Sequence, residues 1–164
     1  MAKTYAPVVR RAVASDGQAI LALVDELADY EKLPRPTPEA RDRLIHDLFG
    51  ARPRVDCWLV FLDGYPVGYA FVVETYSSFL ALPTLYLEDL FVLPEFRGRR
   101  AGHALFREVR DEAVRRGCGR MEWMVLDWNQ IAKDFYDRQG GAVRMKEWEL
   151  YRITLSAAGS QEHF

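Results

Sequence analysis

The sequence predicts one domain in the α/β to α+β range, a central mixed β-sheet flanked by helices. Three observations carry this. Apolar runs of strand length are interspersed with amphipathic helical stretches along the chain. Two of the runs are joined by Asp63-Gly64, a strong hairpin signal. A later run, Leu90-Phe91-Val92-Leu93, passes through Pro94 into a loop bearing Gly and Arg, and a helix begins at once.

Residues 5–13 alternate enough for a first strand. Ser15-Asp16 then offers a cap to a helix with Ile20, Leu23, Val24 and Leu27 on one side, running to about Tyr30. Leu33-Pro34-Arg35-Pro36-Thr37-Pro38 cannot stay helical. A second helix starts with Thr37 as cap and Pro38 at its first position, carries Leu44, Ile45 and Leu48, and ends near Gly50. Strands follow at Asp56–Leu62, Pro66–Thr75 and Thr84–Leu93. Ala101, Leu105, Val109 and Ala113 recur every four residues and mark a helix with one buried face, ended by Gly117 and Gly119. Arg120–Leu126 reads as a buried strand, Asn129–Gln139 as a short helix stopped by Gly140-Gly141, and Trp148–Leu155 as a last strand. A single domain over 1–155 is expected, with 156–164 a flexible tail.

With 49% hydrophobic and 28% charged residues, the chain can bury a core and stay soluble. A net charge of -2 gives no general nucleic-acid footprint. No apolar run is long enough to span a bilayer, and Met1–Pro7 lacks the apolar core of a signal peptide. Cys57 and Cys118 make neither a disulfide framework nor a metal cluster, and both read as buried free thiols. His46, His103 and His163 share no ligand or triad spacing, so no metal is expected. Trp123, Trp128 and Trp148 read as core or interface aromatics. A cytoplasmic protein follows as the expectation.

Arg97-Gly98-Arg99-Arg100-Ala101-Gly102-His103 carries the chemical signal. Backbone N–H groups cluster at a helix N-terminus, where the dipole favours negative charge. Gly98 and Gly102 let the backbone approach a ligand, and the arginines add planar donor forks. The layout suits a phosphorylated ligand; a basic surface turn is the alternative.

At these residues the chain resembles the GNAT superfamily of N-acetyltransferases, which bind acetyl-CoA. The loop of that family follows Arg/Gln-x-x-Gly-x-Gly/Ala; here the first and last places fit, and the fourth, usually Gly, is Arg100. Within the superfamily the chain looks like the spermidine/spermine (diamine) and thialysine acetyltransferase branch. The matching segments are Leu27-Ala28-Asp29-Tyr30-Glu31, Thr75-Tyr76, Leu85–Val92, Asp127-Trp128-Asn129 and Phe135-Tyr136, in order from about Val8 to Ile153.

The resemblance implies a GNAT fold and a direct attack of an amine on the thioester. It implies that Arg97–His103 take the pyrophosphate, that Leu90, Phe91 and Val92 pair with pantetheine, and that Asn129 and Ala132 line the other side. Glu88 matches the branch's proposed base, and Tyr136 the family's general acid, where it would also meet the cofactor. A free alkylamine has a pKa of ~10, so a carboxylate must remove its proton. A thiol of pKa ~8.5 can leave as thiolate and be protonated by a tyrosine of pKa ~10. A backbone N–H near Phe91 or Val92 would stabilise the oxyanion. Glu88 and Asp89 are adjacent on a strand and are expected on opposite faces, so they are not a paired dyad. Two acids binding an arginine or a backbone group are the structural alternative.

The resemblance also places Tyr30, Glu31, Glu88 and Glu122 near the acceptor amine. The polyamine branch carries extra acids after the Tyr-Glu pair, whereas this chain has Lys32 and Arg35, which favours a short diamine or lysine-like acceptor over spermine. A homodimer is implied, with Trp148 and Tyr151 near the contact. Two alternatives stand beside the small-molecule reading. One is a protein N-terminal or lysine acetyltransferase, against which Tyr76–Pro83 is read as an aromatic loop covering the site. The other is a non-catalytic acyl-CoA sensor.

Overall fold

The computed structural model describes residues 6–155. The chain forms two compact units divided after Met124. The first holds a five-stranded sheet in the order β1-β2-β3-β4-β5. The strands are β1 (Val8–Arg11), β2 (Asp56–Leu62), β3 (Tyr65–Ser77), β4 (Leu82–Val92) and β5 (Arg120–Trp123). The first four pair antiparallel and β4 pairs with β5 in parallel, so the sheet is mixed as predicted. The Asp63-Gly64 turn takes φ of 53° and 83°, the left-handed pair that a two-residue hairpin loop demands.

Helices α1 (Gly17–Glu31) and α2 (Pro38–Phe49) connect β1 to β2. Ile20 and Leu23 of α1 and Leu48 of α2 pack with Cys57, Leu59, Tyr69, Phe71 and Phe91 in one buried cluster. Side chains alternate along a strand, so Trp58, Val60, Ala70 and Val72 face the other way. That second face is covered by α3 (Ala101–Arg115), which buries Leu105, Phe106, Val109 and Ala113. Arg116, just beyond α3, bonds Asp56 at 2.7 Å and lies over the Trp58 ring, tying the helix end to β2.

The N-terminus of α2 is as expected: Thr37 Oγ1 accepts the Ala40 N–H at 3.3 Å, with Pro38 behind it. The start of α1 differs. Ala14–Asp16 form a 3-10 turn, and the Asp16 carboxylate accepts the Val13 N–H and holds Arg10 instead of capping α1.

The second unit holds α4 (Gln130–Asp137), whose start is capped by Asn129: its Oδ1 accepts the Ala132 N–H at 3.1 Å. Two strand expectations are corrected. β5 stops at Trp123 rather than Leu126, and its residues are half-buried or exposed; among the described residues it is an edge strand paired with β4. Trp148–Leu155 forms no strand, and Trp148, Leu150, Tyr151, Ile153 and Leu155 are exposed. Its alternation records a preference for strand, but a strand needs a ladder to satisfy its hydrogen bonds, and the described five-stranded sheet does not include it. The tail 156–164 and the first residues of the predicted first strand lie outside the described residues. Among those described, no helix is long and apolar enough to cross a membrane.

Candidate active site

Strand β4 outruns its parallel partner. Pairing with β5 ends at Leu87–Trp123, while β3 stays paired with β4 as far as Val92. Glu88–Val92 therefore has an open edge on the β5 side of the first unit, among the described residues. Leu93 donates its N–H to Val67 O on β3 at 2.9 Å. Backbone groups alternate along a strand, so Phe91 bonds toward β3, and Leu90 and Val92 turn theirs to the open edge. The Val92 carbonyl is filled by Arg97 Nε at 3.0 Å. Its N–H faces the open edge, whereas that of Phe91 is taken up by β3.

The edge leads straight into the basic loop. Pro94–Phe96 make one 3-10 turn, then Gly98 and Arg100 adopt left-handed backbone, with φ of 76° and 65°. Arg100 stands at the cap position of α3, and the first intrahelical bond joins Ala104 N–H to Arg100 O at 3.0 Å. The amides of Ala101 and Gly102 have no acceptor within the helix. This explains the motif: the fourth place needs positive φ, which glycine adopts freely and Arg100 adopts at a cost. The Arg100 and Arg99 side chains are exposed. Arg97 is turned inward instead, its guanidinium 4.6 Å from the Tyr30 ring centre and 5.9 Å from that of Phe91.

Carboxylates gather beside the edge. The register runs Phe71 to Asp89 and Val72 to Leu87, leaving Glu88 as an extra residue in a bulge. The bulge adds a residue to the simple alternation expected along this strand. It places Leu87 on the α3 face with Val72, and Asp89 on the α1 face with Phe71 and Tyr69. Glu88 is exposed at the break. Asp89 is half-buried and accepts the Tyr69 hydroxyl at 3.1 Å. Burial, then the Glu88 charge, with Glu31 adding, push the Asp89 carboxyl up to about 7, against the pull of the Tyr69 bond. Glu31 at the end of α1 is also raised, by burial. Among the described residues neither Glu31 nor Asp89 has a cation against it.

Glu122 lies on β5 opposite Tyr86 of β4 and pairs with Arg120 at 2.9 Å. Burial and then the charges of Glu88 and Glu122 raise the Tyr86 phenol. Arg35 is occupied by Asp29, at 2.5 Å, so only Lys32 of the two expected cations stands without an acid partner among the described residues. The structure thus brings Tyr30, Glu31, Glu88 and the Arg97–His103 loop together in the first unit. Asn129, Ala132 and Tyr136 belong to the second. There Tyr136 lies on α4 with its ring edge-on to Phe135 at 5.1 Å.

Several expectations change. Tyr76–Pro83 is the tip of the β3–β4 hairpin, with Tyr76 paired to Pro83 and Phe79 fully exposed, and not a covering loop. Cys57 is buried but Cys118 only half-buried. Of the core and interface readings for Trp128 and Trp148, their exposure removes the core one. Sequence reasoning named Asp89 beside Glu88 but missed Tyr69 and its bond to Asp89. The signal was a tyrosine inside the unbroken apolar run Val67–Val73, where a buried hydroxyl demands a partner. Among the described residues no group of His, Cys, Asp and Glu is arranged to hold a metal.

The fold and this arrangement define an acyltransferase, and comparison names the family. The acetyltransferase (GNAT) family matches residues 20–141, and the chain belongs to it as an acetyl-transferring enzyme. It is 32% identical over 155 residues to the thialysine N-epsilon-acetyltransferase of Bos taurus, covering 88% of this chain and 91% of the relative. It is 41% identical over 95 residues to an L-ornithine N5-acetyltransferase of Arabidopsis thaliana, covering 58% of this chain and 41% of that one. The solved aminoglycoside N-acetyltransferase AAC(6')-Iy in complex with CoA shares the fold, with a TM-score of 0.74 at 19% identity over 94% of this chain and 98% of that one.

Proposed function

We propose that this enzyme transfers acetyl from acetyl-CoA to a primary amine of a small cationic acceptor, a short diamine, a polyamine or a lysine-like amino acid. The open edge of β4 running into the amides that start α3 carries the reading. A linear diamide such as pantetheine is the ligand that an open strand edge complements, and a pyrophosphate suits the helix start. The relatives named for thialysine and ornithine support an amino-acid-like amine. Glu31 and Glu88 lend the negative charge that would draw it in.

In this reaction Glu88, directly or through water, takes a proton from the ammonium, and the freed amine attacks the thioester carbon. The C–N bond forms, and the oxyanion is held by the Val92 N–H. The C–S bond then breaks as the carbonyl re-forms, Tyr136 gives its proton to the departing thiolate, and the second proton of the adduct nitrogen, released as the amide forms, passes through water to restore the phenol. We also propose a cytoplasmic homodimer with Trp148 and Tyr151 at the contact.

The test is thiol release from acetyl-CoA across putrescine, spermidine, spermine, lysine, ornithine, thialysine and a lysine peptide, with mass analysis of the product. Turnover with the small amines is expected. A clear preference for spermine or for the peptide would overturn the acceptor class, and no turnover with any amine would leave an acyl-CoA sensor.

A further inference from the structure

Strand β4 carries two adjacent carboxylates, and the proposed reaction uses one of them. Asp89 is the other, and its surroundings give it a different task. It reaches the α1 face only because the strand is bulged at Glu88; in an unbulged strand it would share a face with Leu87. The bond that holds it there is diagonal across the sheet. Tyr69 pairs with Phe91, and its hydroxyl reaches back two residues to Asp89. Tyr69 is wholly buried, its ring 4.7 Å from Phe71 and 6.3 Å from Phe91, so the phenol cannot swing elsewhere. A slip of β4 that erased the bulge would strand this hydroxyl without a partner in the core.

We propose that Asp89 is a positioning residue: by accepting the Tyr69 hydrogen bond it locks the β4 bulge and so fixes Glu88 at the open edge. The inference rests on the reading of Glu88 as proton acceptor. The raised Asp89 carboxyl fits this task, since a carboxyl holding its proton near neutrality does not compete with Glu88 for the ammonium.

Four variants test it: Tyr69→Phe, Asp89→Leu, their combination, and Asp89→Asn, which keeps an acceptor for the phenol. Each is measured for steady-state rates on the wild-type enzyme's best amine and for amide hydrogen exchange over 87–90. Tyr69→Phe and Asp89→Leu are expected to lower kcat about 10- to 100-fold, the size that misplacement of a catalytic group carries. The KM for acetyl-CoA should stay within about two-fold and exchange at Glu88 should quicken. The double variant should be no worse than the worse single one, because both break one bond. Asp89→Asn should recover most of the turnover. Additive losses, or an Asp89→Asn enzyme as impaired as Asp89→Leu, would overturn the lock. So would unchanged exchange at Glu88 in Tyr69→Phe, which removes one oxygen and serves even if Asp89→Leu does not fold. Full turnover in Glu88→Gln sinks the base assignment instead, a result independent of the exchange data.

Discussion

Arg97 lies over Tyr30 at 4.6 Å and joins the end of α1 to the start of the cofactor loop. Its Nε also fills the Val92 carbonyl at 3.0 Å. The motif arginine is thereby a clasp between the end of α1 and the loop that follows β4. Arg97→Lys keeps the charge but loses the planar fork. It should lower stability by about 1 kcal/mol, the range of a partly exposed cation–π contact with one hydrogen bond. Urea denaturation would show it, and an unchanged midpoint would remove the clasp.

Asp89 makes stability depend on pH in an unusual direction. Its carboxyl is pushed up to about 7 in the folded protein, against about 3.9 in an unfolded chain. Between those values the folded state holds a proton that the unfolded chain has lost. Stability from this group is therefore full below pH 4 and falls as pH rises to 7. The groups around it are Glu88 on the same strand, Tyr69 on β3, Glu31 on α1 and Cys57 on β2. Asp89→Asn should match the wild type at pH 4 and exceed it by about 2–4 kcal/mol at pH 8. Equal thermal midpoints at pH 8 would contradict this.

Arg100 holds left-handed backbone at a position where a glycine costs less. Arg100→Gly should raise stability by about 0.5–1 kcal/mol. It also removes an exposed cation beside the amides of Ala101 and Gly102, so the KM for acetyl-CoA should rise about two- to five-fold, as for one solvated charge contact. A KM that stays level or falls would show that the backbone alone binds the phosphates.

The two thiols should differ in reactivity. Burial, with Asp16 and Asp89 nearby, pushes the Cys57 thiol far up, while Cys118 is half-buried and less raised. Iodoacetamide at pH 8 should label Cys118 first and Cys57 only on unfolding. Peptide mass mapping that finds Cys57 labelled early would refute the assignment.

The hairpin at Asp63-Gly64, the Thr37-Pro38 cap and the apolar stripe of α3 were legible because each is a local rule that the tertiary structure leaves intact. So was the loop after β4, where turn residues and helix start are contiguous. The bulge at Glu88 was not, since register depends on what β3 presents opposite, and a period-two reading has no place for an extra residue. Trp148–Leu155 misled for the converse reason: alternation records a preference for a strand, not membership of a sheet. Arg100 shows the middle case. The motif flagged an oddity there, and only the dihedral angle says that its meaning is conformational.

The open edge of β4 has a consequence for solubility. An unpaired strand edge is a template on which another chain can add and seed aggregates. Here it is five residues long, Glu88 to Val92, broken by a bulge and a negative charge at one end and stoppered at the other by Arg97 on the Val92 carbonyl. These traits exclude a long foreign strand, so the first unit can keep an open edge without leaving a polymerising one.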